Sequence, residues 1–494
     1  MPKPKNNIRT RFAPSPTGYL HIGGLRTALF AYLTAKKNKG VFVLRLEDTD
    51  QTREVKGAIE GLITVLNKVG LTPDEGVILD KNKQVQDSGK YGPYIQSQRL
   101  DLYQATAQEL IKQDKAYYCF CSPERLTKLR EDKLAKKQVP KYDGHCRSLD
   151  KTEALAKIKA GESAVIRFKI PNDTVVEADD LIYGHIKVKS QDLDDFVILK
   201  SDGFPTYHLA HPVDDHTMKI SHVIRGEEWL PSLPKHVLLF RSLGYDLPIY
   251  VHLPLILNPD KSKLSKRQGD VAVEDFLAKG YLVEALLNYV ALLGWNPGTD
   301  QEIFSLDQLV KNFSLEKINK SGAVFDLKKL QWLNSHYIKN IVTENKKRYQ
   351  ILVEETKKFL PDHQDKVEDL LKLFSARLNY LAEIKDLSSF IFTLPEYPRD
   401  MLIFKKSDQT KTKQGLESAK NLLEGLKAKD WTTNTLNKAL EQLVKAQNLA
   451  PGDVFWPIRV SLSGLEKSPS PAEILAVLGK EESLRRIGLG IGRV

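Results

Sequence analysis

The first fifty residues carry the pattern that most restricts what this chain can fold into. Ile8 to Phe12 reads as a short strand, stopped by Pro14. "LRTALFAYLTAKK" then sets Leu25, Ala28, Leu29, Tyr32 and Leu33 at the spacing of one helical face, and Asn38 and Gly40 end it. "VFVLRLEDTD" follows as a near-continuous apolar run, as expected of a strand buried on both faces. Strand, loop, helix, strand is a βαβ unit. It predicts an α/β domain and puts "APSPTGYLHIGG" at the carboxyl end of the first strand and the N-terminus of the first helix. Open α/β sheets bind nucleotides there.

The loop's composition suits that position. Pro14 and Pro16 stiffen it, while Gly18, Gly23 and Gly24 allow close backbone approach to a ligand. The helix start supplies free N–H groups, and His21 can donate to a phosphate or ribose oxygen. The spacing is neither G-x-G-x-x-G nor a Walker A loop, since Gly24 stands where the lysine would be. An ordinary βα turn with a capping histidine is the bland alternative. Much later, "NPDKSKLSKRQGD" gathers Lys261, Lys263, Lys266 and Arg267 after the apolar run "YVHLPLIL". Cations so placed can stabilise a developing phosphoryl charge. Taken alone, the stretch also fits a solvated basic surface loop.

At 494 residues the chain predicts two to four domains. From about Tyr94 to Lys200 the sequence turns charged, holds all three cysteines and shows the short strands "ESAVIRFKI", "GHIKVKS" and "DDFVILKS". It reads as an insertion between two halves of the α/β domain. After about Ala272 the periodicity is mainly helical, with a break near Pro395 and Pro398. The formal charge of +11 suits either a polyanionic partner or a merely basic surface. Three cysteines make no disulfide framework and point to a reducing compartment. No secretory h-region and no bilayer-length apolar run is present, so the expectation is a cytoplasmic protein without a membrane partner.

The two loops together resemble the paired signatures of class I aminoacyl-tRNA synthetases. "RFAPSPTGYLHIGG", "RLEDTD", "GPYIQSQRLDLY", "FPTYHLA", "VDDH", "HVIRGEEWL" and "LPLILNPDKSKLSKR" narrow this to the glutamyl-tRNA synthetase family of bacterial and organellar type. The likeness continues through "NYVALLGW", "VFDLKKLQWLN" and "ILAVLGKE" to the C-terminus. It implies a Rossmann-like catalytic domain in two halves, 1–93 and 201–257, with an inserted α+β acceptor-binding domain at 94–200. An all-helical remainder follows: a stem-contact region at 258–340 and anticodon-binding subdomains at 341–398 and 399–494.

The resemblance also implies the chemistry. ATP with magnesium and L-glutamate form glutamyl-adenylate, and the acyl group passes to the terminal ribose of tRNA(Glu). Whether tRNA(Gln) is also charged stays open. By this likeness His21, Gly23, Gly24, Glu228, Trp229 and Lys266 form the ATP site, and His21, Lys263 and Lys266 act in catalysis. Arg11, Ala13, Ser15, Glu47, Tyr207 and Arg225 meet glutamate. A substrate with two carboxylates and one ammonium does call for two arginines and one acid. His211 departs from the asparagine frequent in the family; it would contact glutamate, and add pH dependence if it titrates near neutrality, or point away.

Cys119, Cys121 and Cys146 have the spacing of a family zinc site, but Ser148 stands at the fourth-ligand position. Serine is not an ordinary zinc ligand, and His145 is the neighbouring substitute. Arg377, Arg459, Ser468 and Pro469 match anticodon-contact positions. The expectation is a monomeric glutamate-charging enzyme, with two rival readings. A glutaminyl-tRNA synthetase would usually carry β-barrel anticodon domains, and a non-catalytic paralogue should have lost His21, Lys266 or the arginines.

Overall fold

The computed structural model describes residues 8–53, 55–264 and 271–494. They fall into two compact units: the described residues up to Leu277 with Val283–Leu327, and Ala278–Leu282 with Lys328–Val494.

The first unit is built on a mixed eight-stranded sheet. Its strands are β1 (Arg9–Phe12), β2 (Val41–Leu44), β3 (Glu75–Leu79) and β4 (Val85–Ser88) on one side. A small three-stranded sheet holds β5 (Ala116–Cys119), β6 (Val165–Phe168) and β9 (Val197–Leu199). The main sheet is completed by β7 (Val175–Asp180), β8 (Gly184–Lys189), β10 (His222–Gly226) and β11 (Ile249–Leu253). Its order is β4-β3-β2-β1-β10-β11-β7-β8, with β3 to β11 parallel and the outer β3–β4 and β7–β8 pairs antiparallel.

The expected βαβ unit is present. Helix α1 (Ile22–Lys37) buries Leu25, Ala28, Leu29 and Leu33, and Asn38 caps its end. Thr10 Oγ1 donates to Ala31 O at 2.8 Å, tying β1 to that helix. The strand order reverses between β1 and β10, so their carboxyl ends flank a switch-point crevice. Helices α2 (Tyr207–Thr217) and α3 (Leu233–Ser242) line the β10 side.

One element departs from the sequence reading. The β7–β8 hairpin, expected inside the insertion, pairs instead with β11 of the main sheet. Alternating burial along β7, with Val176, Ala178 and Asp180 buried, is the period-two pattern of a strand with one core face.

The second unit is helical throughout its described residues. Pro395 and Pro398 do interrupt the helices, but Tyr397, Leu402 and Val460 share one buried cluster with Leu394, Met401, Trp456 and Val494. Packing therefore continues across that break.

Candidate active site

The "HIGG" loop begins α1 as the composition suggested. Gly18 takes φ +122°, a region closed to side chains with a Cβ. His21 is the N-cap, its Nδ1 accepting the Gly23 N–H at 3.0 Å, which places the ring proton on Nε2. A Cβ on Gly24 would lie 2.9 Å from Leu20 Cδ1, so a larger residue there would require the Leu20 side chain to shift.

The second signature meets the first. Leu264 N donates to Ile256 O and Asn258 N to Ser262 O, turning the chain back on itself. This brings Lys263 into a cavity of about 230 Å³ with His21, Gly23, Gly24, Arg26, Gly226 and Glu228. Beyond the loop, Ile22 N bonds Val271 O, and Val273 N bonds Leu20 O. The histidine loop thus contacts residues on both sides of Lys266, which itself lies outside the described residues. Trp229 is not among the cavity's lining; it packs on Tyr207, centroids 4.0 Å apart. A larger cavity of about 770 Å³ lies at the amino-terminal strand ends beside His222 and Ile249 and holds none of the expected residues.

At the adjoining strand ends the glutamate-binding candidates converge. Glu47 N donates to Pro14 O at 3.0 Å, drawing the end of β2 against the loop after β1. The Glu47 carboxylate accepts from Arg45 Nη2 at 3.1 Å; burial raises its pKa, opposed by Arg45 and Arg11. Arg11 is buried, donating from Nε to Asp215 Oδ2 at 3.3 Å and from Nη1 to Ile224 O at 3.1 Å. Burial would raise Asp215 as well, but Arg45 and Arg11 hold it well below the usual carboxylate range. Ala13 is half-buried and Ser15 exposed in the connecting loop.

Arg225 differs from Arg11. It is 5% exposed, yet among the described residues no carboxylate stands within ion-pair distance of it. Its partners are all neutral: Tyr207 Oη at 3.0 Å, His252 Nε2 at 3.0 Å and His236 Nδ1 at 3.1 Å. An unneutralised buried cation is costly and awaits an anion.

His211 stacks on Tyr207 at 5.4 Å with an 11° tilt. Its Nδ1 lies 2.7 Å from Asp215 Oδ2 and its Nε2 lies 3.2 Å from Tyr250 Oη. Burial, opposed by Asp215, pushes its pKa down to about 3. The pH dependence near neutrality that this histidine could have added is therefore corrected: the ring is neutral there.

Several residues were missed. Arg45 pairs with Asp215 at 2.6 Å, and Asp214 accepts from Arg99, Gln96 and Tyr103. The signal was in view: Asp214 and Asp215 sit side by side in a buried helix, which demands cations. His236, His252 and Asp180 carried no comparable signal.

In the insertion, the three cysteine sulfurs lie within 4.8 Å of one another, with Cys121 and Cys146 3.6 Å apart. Neither fourth-ligand candidate joins them: Ser148 and His145 are exposed. Tyr142 does, its hydroxyl 3.3 Å from Cys119 and 3.6 Å from Cys121. Zinc–thiolate bonds of about 2.3 Å require sulfurs about 3.8 Å apart, a spacing close to that of Cys121 and Cys146.

In the helical unit Arg377 is exposed just after helix Val367–Phe374. Arg459 is linked to Ser468 through Ser463 Oγ, which lies 2.8 Å from Arg459 O and 3.3 Å from Ser468 Oγ. The Arg459 Nε is buried without a partner, and Pro469 is buried.

A Rossmann-like sheet, a histidine-capped first helix and a lysine loop closing on it define a class I aminoacyl-tRNA synthetase. Residues 7–332 match the family "tRNA synthetases class I (E and Q), catalytic domain", and residues 327–491 match "Anticodon binding domain". The chain is 47% identical to the glutamate–tRNA ligase of Alkaliphilus metalliredigens, over 97% of this chain and 98% of that one. It is 45% identical to that of Clostridioides difficile, over 97% and 98%. The crystal structure of a glutamate–tRNA ligase from Elizabethkingia meningosepticum, in complex with its amino acid, superposes with a TM-score of 0.85. That match has 36% identity and covers 98% of this chain and 99% of that one. The chain belongs to the glutamate–tRNA ligase family. It is an enzyme that joins L-glutamate to tRNA(Glu) at the expense of ATP.

Proposed function

We propose the following division of labour for that reaction. Arg225 takes the side-chain carboxylate of glutamate, Glu47 the ammonium and Arg11 the α-carboxylate. The carrying observation is that Arg225 is buried with only neutral partners, whereas Arg11 is already paired with Asp215. The side-chain carboxylate keeps its charge throughout, so it suits the unneutralised arginine. The α-carboxylate loses its charge on activation, so a partly compensated cation suffices.

His21, Gly23, Gly24 and Lys263 hold the phosphates, with Glu228 at the same cavity and Trp229 behind Tyr207. ATP enters as its magnesium complex, the metal neutralising phosphate oxygens. A glutamate α-carboxylate oxygen attacks the α-phosphorus and pyrophosphate leaves; His21 and the lysines, Lys266 among them, stabilise the leaving charge. A terminal-ribose hydroxyl of tRNA then attacks the acyl carbon, and AMP leaves.

The same reading assigns the insertion at 94–200, apart from the β7–β8 hairpin that joins the main sheet, to the acceptor end, and zinc to Cys119, Cys121, Cys146 and Tyr142. Arg377, Arg459 and Ser468 read the anticodon, with the buried Pro469 shaping the turn that carries Ser468. It takes the enzyme as a cytoplasmic monomer. No helix among the described residues is long and apolar enough to cross a membrane.

His21→Ala tests the nucleotide assignment. Single-turnover adenylate formation should slow about 100-fold or more, while tRNA affinity stays unchanged. Activation at the wild-type rate would remove His21 from the ATP site.

A further inference from the structure

We propose that His236 and His252 are positioning residues that, held in opposite neutral tautomers, aim Arg225 at the side-chain carboxylate without neutralising it. The inference rests on the reading that Arg225 binds that carboxylate.

A guanidinium only donates hydrogen bonds. Arg225 Nε donates to His252 Nε2 at 3.0 Å, so that nitrogen carries no proton. The His252 proton is therefore on Nδ1, which faces Asp180 Oδ2 at 2.7 Å. Arg225 Nη2 lies 3.1 Å from His236 Nδ1, so here Nδ1 accepts. The His236 proton is on Nε2 and faces His208 Nδ1 at 3.1 Å. One histidine accepts through Nε2 and the other through Nδ1, and each is fixed by the partner behind it.

Tyr207 Oη takes a third N–H, from Nη1. Of five donors, one remains on each terminal nitrogen. Two N–H groups on two nitrogens match the two oxygens of a carboxylate. An amide offers one acceptor and turns an NH₂ toward the other donor, so glutamine fits poorly.

Neutral acceptors matter here. An Asp or Glu in place of either histidine would hold the arginine but also satisfy its charge, and so compete with substrate. Asp180 sits one imidazole further out. Its oxygens also accept the Ile182, Tyr183 and His252 backbone N–H groups at 3.0, 2.8 and 3.0 Å. It fixes the tautomer while its own charge is spread over four donors. This gives the β7–β8 hairpin a purpose in the main sheet: Asp180 is the last residue of β7 and lies beside β11, which carries His252.

Crossed substitutions test the proposal. Asparagine places its oxygen near the position of imidazole Nδ1; glutamine reaches that of Nε2. His236→Asn and His252→Gln should keep the KM for glutamate within about threefold, whereas His236→Gln and His252→Asn should raise it about tenfold or more. The KM for ATP should stay level in all four. Equal effects of Asn and Gln at each site, or an ATP KM that moves in step, would overturn the tautomer assignment. Should any variant fail to fold, the wild-type enzyme with ¹⁵N-labelled histidine decides: His252 should show the proton on Nδ1 and His236 on Nε2, and the reverse pattern refutes the proposal. Arg225→Gln separates the two levels. If it leaves the glutamate KM unchanged, the Arg225 reading falls and the histidine roles with it. If it raises KM but the crossed pattern is absent, only the histidine roles fall.

Discussion

His208, His211, His236 and His252 are gathered around Tyr207 and Arg225 with His211 and His236 fully buried. Burial, with nearby cations, pushes His208 to about 4; burial, opposed by Asp215, pushes His211 to about 3. Both folded-state values lie below the unfolded value near 6.5, so the unfolded chain binds these protons more readily. Their contribution is complete above pH 6.5 and is lost as pH falls from there toward 4. Urea midpoints should therefore drop between pH 6.5 and 5, and His211→Asn should flatten the slope. A midpoint constant across that window would contradict neutral burial. At this scale His21, Glu47, Arg11 and Arg225 were legible as candidates through the family motifs in which they sit. His236 and His252 were not, since a tautomer is set by tertiary partners scattered from Asp180 to His252. Lys266 was named from its motif, but its placement lies outside the described residues.

Among the elements, the first βαβ unit was readable nearly to the residue, because the apolar periodicity and the Asn38–Gly40 stop agree. The β7–β8 hairpin was readable as strand but not as part of the main sheet; pairing with β11 is a long-range choice that local alternation leaves open. The cysteine knuckle shows the same division. Its C-x-C spacing was plain, yet the side chain that meets the sulfurs, Tyr142, lies four residues before Cys146 rather than after it. Metal analysis of purified, tag-free enzyme should find about one equivalent of zinc, bound through three thiolates. Cys146→Ser should release it. Less than about a tenth of an equivalent in the wild type would mean free thiols.

For the whole molecule, composition set only broad limits, and the family motifs carried the reading of two functional regions. The first unit holds the "HIGG" loop, Lys263 and the buried arginines; the second is helical in its described residues and matches an anticodon-binding domain. The net charge of +11 suits a phosphate-rich partner. The central claim is that an unneutralised Arg225 selects an acid over its amide. Aminoacylation of purified tRNA(Glu) and tRNA(Gln) with radiolabelled glutamate and glutamine, comparing wild type with Arg225→Gln, tests it most directly. The wild type should load glutamate on tRNA(Glu) and no glutamine on either tRNA. Arg225→Gln should lower kcat/KM for glutamate about 100-fold or more through a higher KM. Wild-type charging with glutamine, or a variant that keeps the wild-type KM for glutamate, would contradict the account.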